Sequence, residues 1–148
     1  MLMSQSEIAA RIPHQGSMCL LQEVRELDEQ HIVCTTRTHL DAANPMRENG
    51  RMGAALGIEY AAQAMALHCA LQQQQGERPR GGYLTSVRDV QLHAETLDAS
   101  SEPLTVRAER IAASEQTAMY QFSLHAGESL LVQGRIAAML DVAAPSQT

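Results

Sequence analysis

The sequence predicts an α+β fold in which one curved antiparallel sheet wraps a single long central helix. Three observations predict it. Met52 to Gln75 reads as one helix, because Ala, Leu, Met and Gln dominate, no proline interrupts, and Gly76 and Pro79 follow where a helix should stop. Projected at about 3.6 residues per turn, that helix is apolar or small on every side. Leu56, Tyr60, Leu67 and Leu71 fall on one flank and Ile58, Met65 and Cys69 on another, the pattern of a helix enclosed by other elements. Almost everything after Arg80 alternates apolar and polar residues with the period of a strand.

The elements follow in order. Ser4 to Ala10 predicts a short helix with Ser4 or Ser6 as N-cap, ending before Pro13 because the residue preceding a proline avoids the α region. Ile12 to Gly16 is irregular. Met18 to Asp28 and His31 to Leu40 predict two strands joined at Asp28-Glu29-Gln30, the second rich in β-branched residues. Asp41 to Gly50 holds the turn formers Asn44-Pro45 and Asn49-Gly50, so it is a loop delivering the chain to the central helix. Gln72 to Arg80 is a polar exit. Tyr83 to His93, Pro103 to Ala112, Thr117 to His125 and Leu130 to Leu140 predict strands, the last two joined by a tight turn at Ala126-Gly127-Glu128, and Ala143 to Thr148 a frayed tail.

A chain of 148 residues fits one domain, residues 1–148, large enough to need neither disulfide nor metal. One Phe, three Tyr and no Trp leave the core to aliphatic side chains. The net charge of −6 and the scatter of its arginines argue against nucleic-acid binding. Gln, His and Glu interrupt the long helix too often for a membrane span. Cys19, Cys34 and Cys69 each lie in an apolar run without metal-ligand spacing, which points to buried thiols, no metal site and a cytoplasmic protein.

Between Arg51 and Glu77 the only charged side chain is Glu59, with Ala55, Ala62 and Gln63 as its helical neighbours. A carboxylate on such a helix must be paired, hydrogen-bonded or protonated, and the alanines leave room for a ligand beside it.

These residues resemble a known family. Gly57-Ile58-Glu59-Tyr60-Ala61-Ala62-Gln63-Ala64-Met65-Ala66, together with Ile12-Pro13-His14, Leu20-Leu21-x-x-Val24 and Gly82-Tyr83-Leu84, is similar to the hotdog-fold 3-hydroxyacyl-[acyl-carrier-protein] dehydratases, in particular the aryl-polyene-cluster branch. The resemblance implies a hotdog fold, dehydration of 3-hydroxyacyl thioesters on an acyl carrier protein without a cofactor, and a homodimer or a heterodimer with a related hotdog subunit. One departure stands out: better-known members carry a Gly-His-Phe-Pro-Gly-Asn-Pro loop whose histidine is the base. Here Ala42 to Gly50 has Asn44-Pro45 but no histidine.

The dehydration needs a base at C2, an acid for the C3 hydroxyl and donors for the thioester oxygen. The resemblance makes Glu59 the acid. His14, on the irregular segment, is the first candidate base; the alternatives are that it only ties down the Ile12-Pro13 turn, and that the base is a histidine from a partner subunit. The backbone N–H groups of Gly53 and Ala54 are expected to hold the thioester oxygen. Gln63 could orient the Glu59 carboxyl or the departing hydroxyl, or be an ordinary helix-to-sheet hydrogen bond. Asn44 could bond at the cleft mouth or simply make a turn. His68 is expected in the core or an interface, and His31, His39, His93 and His125 in solvent. Two other readings stay open: an acyl thioesterase in which Glu59 activates water, and a non-catalytic subunit completing a partner dehydratase.

Overall fold

The computed structural model describes residues 2–12, 18–72 and 82–140, with backbone only for 82–85 and 140. Strand β1 (Met3–Ser4) leads into α1 (Gln5–Ala9), whose entry is fastened by Glu7: its carboxylate accepts the Ser4 N–H at 3.3 Å and the Ser4 hydroxyl at 3.0 Å. β2 (Glu23–Leu27) and β3 (His31–Thr36) follow, then a loop and the central helix α2 (Gly57–Leu71). β4 (Gly82–Leu92), β5 (Leu104–Ala113), β6 (Thr117–Ala126) and β7 (Ser129–Leu140) complete one seven-stranded antiparallel sheet in the order β1-β2-β3-β5-β6-β7-β4.

The helix lies across β3, β5, β6 and β7. Tyr60, Ala61, Ala64 and Leu67 pack into a core with Ile32, Cys34, Val106, Ala108, Phe122, Leu124, Val132 and Ile136. Each large side chain fully buried in this way contributes about 1.5–3 kcal/mol. Alternate residues of β5, Thr105, Arg107 and Glu109, turn to the outer face, as the period of a half-buried strand requires.

Two turns answer their residue types. Gly127, in the β6–β7 turn, has φ +60°, and Asn49 and Gly50 have φ +53° and +74°, bringing Glu48 opposite Arg51.

Four expectations are corrected. Met18 to Gln22 is outside any strand, β2 beginning only at Glu23, because the Leu20 peptide is held by side chains instead of a ladder (below). β3 ends at Thr36, and Thr38–Leu40 turns into a 3₁₀-helix. The helix entry is likewise 3₁₀ over Ala54–Leu56 before α2 proper starts at Gly57. Nor is α2 buried all round: the sheet covers one side, and Ile58, Glu59, Ala62, Ala66, Cys69 and Ala70 remain partly exposed. Ala143 to Thr148, the polar exit beyond Gln72 and His14 lie outside the described residues.

Candidate active site

Glu59 stands in the first turn of α2, partly exposed, with Ala55 one turn before it and Ala62 one turn after. One helical turn further, Gln63 is fully buried. Its side-chain oxygen accepts the Leu20 N–H at 2.9 Å and its amide nitrogen donates to the Met18 carbonyl at 2.7 Å. The Gln63 side chain thus makes a structural bond, though to the irregular chain ahead of β2 and not to a strand: the amide ties α2 to Met18 and Leu20, which follow residues 13–17.

The Leu20 carbonyl is held as firmly. Thr36 and Thr38 donate their hydroxyls to it at 2.6 and 2.7 Å. Because Thr38 uses its proton there, the Tyr60 hydroxyl donates to Thr38, at 3.0 Å, and Asn44 Nδ2 donates to Tyr60 at 3.3 Å. Asn44 Nδ2 also donates to the Thr38 carbonyl at 2.9 Å, and Asn44 Oδ1 accepts the Met46 N–H at 2.9 Å. Asn44 is therefore buried in a chain of hydrogen bonds inside the fold, and both donors of its amide are engaged there. Burial pushes the Tyr60 phenol above its ordinary range, so it stays a neutral donor. Thr36, Thr38 and Tyr60 were not singled out by sequence reasoning. Their signal is faint: a Thr-x-Thr pair at a strand end and a tyrosine beside the helix acid.

The helix entry carries the backbone donors. Gly53 lies opposite Thr96 in an isolated antiparallel bridge, flanked by bonds from Leu97 N–H to the Met52 carbonyl (2.9 Å) and from Ala54 N–H to the Glu95 carbonyl (3.0 Å). The Ala54 N–H expected to meet a thioester is thus engaged within the chain, a correction to that expectation. In such a pair the N–H of the central residue points away from the partner strand, and the Gly53 N–H has no hydrogen-bond partner among the described residues. Gly53 borders a cavity of about 540 Å³ whose wall includes Ala55, Leu56, Arg51, Leu92 and Glu95. Its φ of −63° and ψ of 148° suit any residue, and a Cβ added there would meet nothing within 4 Å. Neither backbone conformation nor internal packing requires a glycine at this place.

The remaining histidines divide. His68 is fully buried in the core, paired through Nδ1 with the Tyr120 hydroxyl at 2.5 Å and through Nε2 with the Asp28 carbonyl at 2.9 Å. His39, expected in solvent, is also fully buried: the 3₁₀ turn at Thr38–Leu40 breaks the strand alternation and swings its Nε2 onto the Glu102 carbonyl at 3.0 Å. His31 is partly exposed beside Asp28 at 2.7 Å, and His93 is exposed. Cys19 and Cys34 are buried free thiols, Cys69 a partly buried one, and burial pushes the Cys34 thiol up to about 12, far from thiolate chemistry. Among the described residues no group of His, Cys, Asp and Glu is placed to hold a metal ion. No helix among them is long and apolar enough to cross a membrane.

Comparison with known proteins returns a consistent set. The family described as ApeP-like, ApeP dehydratase, matches residues 6–147. No curated protein matches the chain. Among solved structures, the dehydratase heterocomplex ApeI:P from Xenorhabdus doucetiae superposes with a TM-score of 0.81 at 18% identity, covering 92% of this chain and 91% of that one. The thioesterase HI1161 from Haemophilus influenzae gives 0.63 at 16% identity over 85% and 82%. Zebra fish thioesterase superfamily member 2 gives 0.65 at 13% identity over 92% and 94%. The fold is that of hotdog dehydratases and thioesterases.

Proposed function

The chain belongs to the ApeP-like dehydratase family, and from that membership we propose that it dehydrates 3-hydroxyacyl thioesters on acyl carrier protein to trans-2-enoyl thioesters, in cytoplasmic fatty-acid- or polyene-type biosynthesis. The base, His14 or a histidine of a partner subunit, takes the C2 proton. Glu59 gives a proton to the C3 hydroxyl, which departs as water, and the C2–C3 double bond forms as that C–O bond breaks. The Gly53 N–H holds the thioester oxygen while negative charge gathers on it.

The observation that carries this reading is Gly53, where neither the backbone conformation nor any neighbour among the described residues calls for a glycine, which leaves the backbone open to the close approach of a ligand. Gly53 stands six residues before the lone helix acid, at the entry to the 3₁₀ turn that leads into α2.

A partner subunit belongs to the proposal. The matched structure is one of a dehydratase heterocomplex, and this chain offers a partly exposed helix face at Ile58, Glu59 and Ala62 and, at one end of the sheet, β4, whose outer edge pairs with no strand among the described residues. Pairing with a related hotdog protein, or with a second copy, would cover both.

The test follows enoyl absorbance and free thiol with a 3-hydroxyacyl carrier-protein substrate, for the protein alone and mixed with a related hotdog dehydratase. Glu59→Gln should lower turnover by about 10²–10⁴-fold. Activity of His14→Ala equal to that of the parent would move the base to the partner, whereas thiol release without enoyl product would make the protein a thioesterase.

A further inference from the structure

Arg47 sits in the loop between β3 and α2, its side chain only 11% exposed. Its guanidinium gathers that loop around itself. Nε donates to the Asp41 carbonyl at 2.8 Å, Nη2 to the His39 carbonyl at 2.7 Å, and Nη1 to the Gly50 carbonyl at 3.0 Å. Nη1 also pairs with the Asp98 carboxylate at 2.9 Å. One side chain therefore fixes carbonyls from both ends of a loop that has little regular structure to fix itself. Asp98, in turn, follows the short segment whose backbone is bonded to Met52 and Ala54. Gly53 is thus held from two directions, through the Gly50 carbonyl upstream in the chain and through the Glu95–Leu97 segment across the bridge. Arg47 is the group common to both.

We propose that Arg47, neutralised by Asp98, is a positioning residue that sets where the Gly53 N–H points, and so where the thioester oxygen is held. The proposal rests on the reading of Gly53 given above. It explains why an arginine is needed. The guanidinium presents five N–H donors in a rigid plane, and four acceptors spread around it are met at once. A lysine ammonium keeps the charge but offers its donors from a single point, so it cannot span carbonyls on different sides. The charge would be costly in so closed a place without the Asp98 carboxylate beside it. A donor displaced by about 1 Å can cost about 10²-fold in rate, so a residue that never touches substrate can control turnover.

Two measurements decide it, in the assembled protein with its partner if one is required. Amide hydrogen exchange comes first. In Arg47→Lys the Ala54 and Leu97 amides should exchange at least about tenfold faster, as local opening of the bridge becomes easier, while Phe122 and Val132 in the central strands keep parent rates. Unchanged exchange at Ala54 and Leu97 overturns the proposal whatever the activity. Kinetics come second, as a cycle of Arg47→Lys, Gly53→Ala and the double variant, read below their melting temperatures. Arg47→Lys should lower kcat by about 10- to 100-fold with KM little changed, and the double variant should lose less than the product of the single losses. Strictly multiplicative losses, or an equal rise in KM, overturn the positioning role. A parent protein inactive in every assembly would defeat the dehydratase reading instead, leaving exchange to decide whether Arg47 holds Gly53.

Discussion

The side-chain oxygen of Gln63 accepts the backbone N–H of Leu20 at 2.9 Å, joining residues 43 positions apart in the sequence. Both groups are fully buried. This bond ties the site helix to the chain that leads away from His14, so a defect in it should reach stability and turnover together.

Gln63→Leu leaves the Leu20 N–H without its acceptor in the core, and an unsatisfied buried donor costs about 1–3 kcal/mol. Urea unfolding should show a loss of that size. Gln63→Glu keeps an acceptor for Leu20 but sets a buried carboxyl group against the Met18 carbonyl, where only its protonated form can donate. Its unfolding midpoint should therefore fall relative to the parent as pH rises and the carboxyl ionises. A midpoint that follows the parent across pH would show that the Met18 contact contributes little.

Gly134→Ala should destabilise by overpacking. A Cβ there would lie 3.0 Å from Val90 Cγ2 and 3.1 Å and 3.2 Å from two carbons of the Phe122 ring. Phe122 is 2% exposed and has little freedom to yield. Forced shifts in a packed core cost about 1–3 kcal/mol, read as a lower Tm. Gly53→Ala, with open space around its Cβ, should leave Tm unchanged while lowering turnover.

Acid should weaken the fold through two buried histidines. Burial holds His39 and His68 below the ordinary value of 6.5, against hydrogen bonds to the Glu102 and Asp28 carbonyls that act the other way. Around His39, Asp98 favours the charged ring while Arg47 and Arg37 oppose it. The unfolded chain therefore takes up these protons first. Their contribution to stability is complete above about pH 6.5 and is lost as pH falls through the lower folded-state values. His39 Nδ1 has no hydrogen-bond partner among the described residues, so protonation would create an unpaired buried donor. Urea midpoints should fall between pH 7.5 and 5, and fall less in His39→Gln, whose amide nitrogen can replace Nε2 at the Glu102 carbonyl. An equal decline in both proteins would remove His39 from the effect.

Much of the architecture was legible along the chain. The composition of Gly57 to Leu71 declared a long helix, and the two-residue alternation of β5 to β7 declared strands. Gly127 marked a turn that a left-handed backbone requires. Glu59 stood out because no other charge interrupts its helix. All of these are local properties, repeated within a few residues of one another, so a reader of the chain meets them directly.

Which hydrogen bonds the polar side chains make was not legible in this way. Asn44 reads equally well as a cleft residue or a turn, and only its packing against Thr38 and Tyr60 turns its amide inward. The Ala54 N–H could face a substrate until Glu95, distant in sequence, supplies its acceptor. His39 lies in a strand-like pattern, and a single 3₁₀ turn carries it into the core. Periodicity is written along the chain, and with it come the helix, the strands and the lone acid between them. The tertiary structure decided which donor meets which acceptor, because a buried polar group must be satisfied by whatever the fold brings within reach, and that neighbour is set by the packing of distant segments.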